Sequence, residues 1–299
     1  MSDLSSALLP ERGVISVRGA DAEKLLQGVI TSDMEVLGQV GTALHTGLLS
    51  PQGKILFDFF VVRHADGFLI ETRRDQVADL LKRLNMYKLR ADVSIRDESD
   101  AYFVSVSWGD GVEAAVAQSG GIAFVDPRLP TMGARVLVPV GSDSAERLTA
   151  QGAAREPAYH AMRVALGVPE AGEDFRLGDT FPHEALYDQL GGVSFTKGCF
   201  VGQEVVSRMQ HRGTARKRVV PVVGAGPLPE PGSEVRAGAS LIGILGSVSG
   251  NRALAMLRLD RAREAIGKGV ALMAGETAVK LEIPKWATFR IGVTEEPEA

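Results

Sequence analysis

From Arg218 to Pro284, short runs of Val, Ile and Leu alternate with turns such as Gly226-Pro227, Pro231-Gly232, Gly243 and Gly246. Strands this short, spaced by turns, pair with their neighbours, so residues 216–299 are expected to form a small antiparallel barrel. The preceding residues mix strands with a few helices, and no internal repeat is visible. Residues 14–17 read as a strand and Arg18-Gly19-Ala20 as a turn. A helix capped by Asp21 then carries Leu25, Leu26 and Val29 on one face. Residues 42–63 are rich in strand formers and broken once, at Ser50-Pro51-Gln52-Gly53, which predicts a hairpin with Asp58 in its second strand. A polar helix near 75–84 leads into strands near 91–96, 101–107, 122–125 and 134–140. Helices are expected at 144–151 and 158–166, the second stopped by Gly167 and Pro169. Sheets joined mainly by non-helical connections fit an α+β class better than repeated βαβ winding.

Composition narrows the function classes. The length of 299 residues suggests about two domains. With 45% apolar and 23% charged residues, collagen-like and disordered readings are excluded. A net charge of −4 means that any nucleic-acid contact must come from a local patch. Cys199 is the only cysteine, which excludes an internal disulfide and a multi-cysteine metal site. Residues 1–12 carry no readable secretory signal and no apolar run approaches the ~20 residues that span a bilayer, so a cytoplasmic location without membrane contact is expected.

The stretch most informative for chemistry is 191–204, Gly-Gly-Val-Ser-Phe-Thr-Lys-Gly-Cys-Phe-Val-Gly-Gln-Glu. Gly198 is expected to let the backbone turn beside Cys199, and Gly202-Gln203-Glu204 to open a helix with unpaired N–H groups at its amino end. Those groups and the Lys197 ammonium both favour a thiolate, making Cys199 and Lys197 candidate catalytic residues. The alternative, Cys199 as a small buried hydrophobe, stands beside it. Glu204 reads as a helix-entrance cap. The five histidines show no metal-ligand spacing and read as structural, with His183 beside Glu184 the best exception at the end of the irregular segment 169–184. No Gly-Lys-Ser/Thr string and no Gly-x-Gly-x-x-Gly turn supports nucleotide hydrolysis or nicotinamide binding.

The string Lys197-Gly198-Cys199-Phe200-Val201-Gly202-Gln203-Glu204, followed by Arg208, resembles the signature Lys-Gly-Cys-(Tyr/Phe)-x-Gly-Gln-Glu of the YgfZ family, folate-binding relatives of the glycine cleavage system T protein. Leu26-Gln27-Gly28-Val29-Ile30-Thr31-Ser32-Asp33 is similar to that family's early helix end, Gly53-Lys54-Ile55 sits in its hairpin, and residues 163–171 resemble its Arg-x-x-x-Gly-x-Pro segment. The likeness runs from about residue 12 to the barrel. It implies an α+β three-domain ring of the T-protein type: residues 1–45 with 145–215, residues 46–144, and the barrel 216–299. Tetrahydrofolate, or a one-carbon derivative, would enter a central opening and meet Asp58, Gln203 and Arg208.

Two departures from the T-protein pattern bear on activity. The hairpin keeps Asp58 where T proteins carry a carboxylate pair, and Gly133-Ala134-Arg135 stands where they carry Gly-Phe-Glu. A guanidinium cannot accept the N–H donors of a pterin. The resemblance therefore implies the branch linked to iron–sulfur cluster assembly or repair and to tRNA modification that depends on it, rather than glycine cleavage. Whether Cys199 attacks a carbon unit, exchanges a disulfide or ligates a cluster stays open, and a cluster role needs partner ligands. A folate-dependent one-carbon transferase and a non-catalytic RNA-associated adaptor are the alternatives. The basic run 208–218, with Arg208, His211, Arg212, Arg216, Lys217 and Arg218, is either a docking surface for a folate tail or a phosphate-bearing partner such as tRNA, or a solvated helix end.

Overall fold

The computed structural model describes residues 4–117, 119–145, 156–213 and 215–289. The helix expected at 144–151 falls largely outside them. By internal contacts the chain divides into two compact units, Met1–Tyr159 with Leu190–Ser207, and His160–Gln189 with Arg208–Ala299. The domain boundary expected at 45/46 falls inside a strand, β3.

The first unit holds two antiparallel sheets. In the five-stranded sheet the strands β3 (Ala43–Leu49), β4 (Ile55–His64), β5 (Gly67–Arg73), β2 (Arg12–Arg18) and β6 (Ser94–Asp97) lie in that order. The β3–β4 hairpin turns at Ser50–Gly53, as the sequence predicts, with Gly53 N donating to Ser50 O at 2.8 Å. Helices α1 (Ala22–Val29) and α2 (Val77–Lys88) bury Leu26, Leu80 and Leu84 in one cluster with Ile15, Phe59 and Ile70 of the sheet. Asp21 occupies the cap position of α1, but its side chain makes no capping bond; Oδ2 accepts from Asp92 N at 2.9 Å instead. The second sheet has the order β1 (Ser5–Leu8), β7 (Tyr102–Trp108), β9 (Ala134–Pro139), β8 (Ile122–Val125), with the short helix α3 (Val112–Ala117) between β7 and β8 in the chain.

A buried ionic network joins the two sheets. Glu71 of β5 is fully buried and takes an ion pair from Arg12 of β2 and, at 2.9 Å on each carboxylate oxygen, Arg135 of β9. Arg135 also donates to Tyr159 Oη at 2.8 Å and to Asp126 at 3.3 Å, and Arg128 grips Asp126 at 3.0 and 2.7 Å. The Arg135 and Arg128 guanidiniums lie 4.5 and 4.9 Å from the Phe60 ring centroid. Burial by itself would raise the Asp126 carboxyl, but the Arg128 and then the Arg135 guanidinium outweigh it and hold Asp126 well below the usual carboxylate range.

In the second unit, strands β10 (Lys217–Gly224), β13 (Arg252–Arg258), β12 (Ser240–Ser249), β11 (Glu234–Ala237), β14 (Leu272–Ala274) and β15 (Thr277–Leu281) close into the expected antiparallel barrel. A helix that the strand pattern concealed, here α6 (Leu259–Gly267), follows β13 and buries Leu259, Ala262 and Ala265 against the barrel core. Helix α4 (Glu156–Leu166) ends at Gly167, whose φ is +78° and whose added Cβ would lie 2.7 Å from Pro284. Arg163 donates to Asp174 at 2.6 Å, to Val168 O at 2.8 Å and to Ser247 at 2.6 Å. The Arg-x-x-x-Gly-x-Pro likeness thus corresponds to a joint between the irregular segment and the barrel. Among the described residues no helix is long and apolar enough to cross a membrane.

Two outcomes follow from the network. Glu71→Ala leaves Arg135 buried without its bidentate partner and should cost about 3–5 kcal/mol, read by urea unfolding. Because the Asp126 carboxyl is depressed in the folded state, the stability it contributes is present above the unfolded value of about 4 and is lost as pH falls below it. Urea midpoints of wild type should therefore drop between pH 5 and pH 3 more steeply than those of Asp126→Asn.

Candidate functional site

The thiol loop is built from two sequence motifs that bind each other. After Leu190 the chain crosses the end of α1: Ser194 N donates to Thr31 O at 2.9 Å, and the Thr31 hydroxyl donates to Gly192 O at 2.6 Å. The Ser32 hydroxyl bonds His45 O at 2.7 Å. Gln27 orders the same stretch, its amide donating to Asp33 Oδ1 at 2.9 Å while its carbonyl oxygen accepts from Met34 N at 2.9 Å. Lys197 then turns inward. Its Nζ donates to the carbonyls of Gln27, Ile30 and Ser32 at 2.7, 2.8 and 2.9 Å, and the Phe200 ring centroid lies 5.3 Å away. Burial pushes the Lys197 ammonium down to about 8, with the Asp33 charge opposing. At neutral pH it stays charged.

Two residues beyond this anchor, Cys199 is exposed, which removes the reading of a small buried hydrophobe. Gly198 does not perform the tight turn expected of it: an added Cβ there meets nothing within 4 Å, and its φ is not left-handed. Gly202 does. Its φ is +82°, and a Cβ would lie 2.6 Å from Ser50 O and 3.1 Å from Gly53 Cα. Reciprocally, a Cβ on Gly53 would lie 2.8 Å from Val205 Cβ. The hairpin turn and the thiol loop therefore meet backbone to backbone, and helix α5 (Gln203–Arg212) begins immediately after this contact.

The other candidates are dispersed. Asp58 on β4 is largely buried, and its Oδ2 accepts from His45 Nε2 at 2.8 Å, the carboxylate fixing the proton on that nitrogen. Gln203 is half-buried at the start of α5, and Glu204 is exposed. Arg208 is exposed on the same helix, as are His211 and Arg212, with Arg216 and Lys217 exposed beyond it. Arg218 leaves the basic surface: it is buried and grips Asp188 at 2.7 and 2.8 Å. His183 is also buried, its Nε2 bonding Gln210 at 2.9 Å, and burial lowers its pKa, which fits the structural role. Arg135, where T proteins carry Glu, points into the sheet-joining network. Reading the sequence missed His45 as the partner of Asp58, and Gln27, Thr31 and Ser32 as ligands of the thiol loop; the signal for the latter was the family-like string 26–33, which marked the stretch without showing what it holds.

Among the described residues no group of three or more His, Cys, Asp or Glu side chains is arranged to hold a metal ion. An open, mainly apolar cavity of about 1250 Å³ lies in the second unit, lined by residues that include Val223, Ile266, Leu272, Leu281 and Phe289 and none of the site candidates.

Residues 216–289 match the family model of the CAF17 C-terminal beta-barrel domain. The glycine cleavage system aminomethyltransferase T of Bartonella henselae has the same fold, with a TM-score of 0.74 over 96% of this chain and 87% of that one, at 16% identity. The chain is 36% identical over 252 residues to the mitochondrial iron–sulfur cluster assembly factor IBA57 homolog of Neurospora crassa, covering 76% of this chain and 56% of the relative. The homolog of the same name in Neosartorya fischeri is 32% identical, with 85% of this chain and 70% of the relative covered. The chain thus spans little more than half the length of several relatives, 56% in Neurospora crassa and in Pyricularia oryzae. The expected cytoplasmic location is corrected by these relatives, which are named as mitochondrial. That expectation rested on finding no secretory signal and no apolar span, two features that do not separate cytoplasm from a mitochondrial compartment. On the extent and identity of the match, the chain belongs to the family of the iron–sulfur cluster assembly factor IBA57.

Proposed function

We propose that this chain acts in iron–sulfur cluster assembly as a factor of the YgfZ type, with Cys199 supplying a thiolate to a cluster that it shares with a partner. The observation that carries this reading is the only thiol of the sequence, exposed on a loop tied down by Lys197, Thr31 and Gly202, in a member of a family whose named relatives are cluster assembly factors. Clusters are held by cysteine thiolates, usually four, and one chain contributes a single one, so the remaining ligands come from the partner or from a second copy. The cluster is cargo in this scheme. The work of the chain is to present one sulfur at a fixed place with its loop already ordered, which reduces the entropy lost when the shared cluster forms. Effects on tRNA modification would then follow indirectly, through enzymes that need clusters.

Tetrahydrofolate binding is the second reading, with Asp58, Gln203 and Arg208 as its contacts. Its support is the carboxylate of Asp58, an acceptor for a pterin N–H, although a pterin would have to share that carboxylate with His45. A one-carbon transferase would require this reading as well. A contact with tRNA would fall to Arg208, His211, Arg212, Arg216 and Lys217, which are exposed, and not to Arg218, which is committed to Asp188.

Two experiments test these readings. In cells depleted of their own assembly factor of this family, expression of the chain in the mitochondrial matrix should restore aconitase activity, and Cys199→Ser should leave it at the depleted level. Full rescue by Cys199→Ser would remove the thiol from the function. Calorimetric titration of the purified chain with tetrahydrofolate should show saturable binding weakened about tenfold by Asp58→Asn, the loss of one charge-assisted hydrogen bond. An absence of binding heat across a temperature series would end the folate reading and leave the cluster reading standing.

A further inference from the structure

Helix α1 lacks a basic residue in its last turn, where carbonyls without intrahelical partners concentrate negative potential. The missing cation arrives from 170 positions further along the chain: Lys197 Nζ bonds the orphan carbonyl of Gln27, then those of Ile30 and Ser32 past the helix end, on either side of the Thr31 carbonyl that Ser194 N takes. An ammonium has three protons, and each has its own acceptor here, so no N–H remains for the sulfur of Cys199. The three carbonyl dipoles direct their negative ends at Nζ and offset its charge where it lies buried. The neighbouring backbone is tied in the same direction, with Ser194 N on Thr31 O and Lys197 N on Ser194 Oγ at 3.1 Å. On this side of the loop the tethers stop short of Cys199; on the other side the chain is held by the close approach of Gly202 to the hairpin.

We propose that Lys197 is the positioning residue of the thiol loop, fixing where the Cys199 sulfur sits by anchoring the loop to the end of α1, and that it does not set the charge of the thiol. This replaces the expectation that Lys197 activates the thiolate directly. It gives the cluster reading its presenting device and rests on that reading only for its biological purpose, because the anchoring itself is a property of the chain without a cluster. It also predicts that arginine is no substitute: a planar guanidinium fork cannot aim three protons from one centre at three converging carbonyls.

The test uses the metal-free full chain. In Lys197→Met, amide hydrogen exchange across residues 194–202 should quicken by about tenfold or more, the effect of losing even one charge-assisted hydrogen bond, while the barrel strands stay as protected as in wild type. The rate of Cys199 alkylation by iodoacetamide should change at its high-pH plateau, while the pH midpoint stays where it is in wild type. Lys197→Arg should behave like Lys197→Met, and n-propylammonium added to Lys197→Ala should restore protection of 194–202. A midpoint that moves upward with unchanged exchange would show that Lys197 acts on the thiol charge and would overturn the proposal. Should the variants fail to fold, wild type decides: the Lys197 ammonium should give a slowly exchanging ¹⁵N signal at pH 7, and exchange as fast as that of exposed lysines would equally overturn it. None of these readouts uses a cluster, so failed aconitase rescue leaves them interpretable.

Discussion

The carboxylate of Glu71 is the charge around which the first unit is organised. With no exposed surface of its own, it is stable as an anion only because Arg12 and Arg135 reach it from two different sheets. Removing two or three charges from water is costly, and a network of this kind is weak evidence for added stability. What it does specify is register: β5, β2 and β9 can be joined in one way, since any slip would leave a guanidinium or a carboxylate buried alone. The five-stranded sheet held by that register carries the β3–β4 hairpin against which the thiol loop rests.

Much of the architecture was legible in the sequence because it is written in local patterns. The barrel followed from short apolar runs between glycine and proline turns, and the hairpin from Ser50-Pro51-Gln52-Gly53. The elements that escaped have physical reasons for doing so. Strand β5 has Glu71 in its interior, a residue that argues against a buried strand until its arginine partners are seen. Helix α6 begins directly at the end of β13, and α3 is too short for a periodic signal. The candidate site was legible as a motif and not as a geometry. Cys199 stood out as the sole thiol, whereas the carbonyls that hold Lys197 belong to Gln27, Ile30 and Ser32, and no side-chain pattern announces a backbone acceptor.

The same distinction changes what the recognisable motifs mean. Arg163 and Gly167 shape a joint with the barrel, Gln27 and Thr31 order the end of α1, and Lys197 and Gly202 seat a loop. Nearly every residue in these strings that looks available for chemistry is engaged in holding backbone. Cys199 is the exception, exposed between the Lys197 and Gly202 tethers, and this contrast is why the functional reading concentrates on one sulfur. The basic residues of 208–218 divide in a similar way, with Arg218 drawn into an internal pair while its neighbours stay on the surface.

The approach of Gly202 to the tip of the β3–β4 hairpin limits how this protein can change over evolutionary time. Ordinary core contacts tolerate compensating exchanges, one side chain growing while its neighbour shrinks. Here both partners already have the smallest side chain available, and each would drive a new methyl group into main chain or into Val205. For Gly202 no second substitution at the facing position can restore the space, because the first atoms it would meet are main chain. Variation around the sulfur must therefore come from residues that do not share this seam, and the seam itself is fixed by volume before any requirement of chemistry is added.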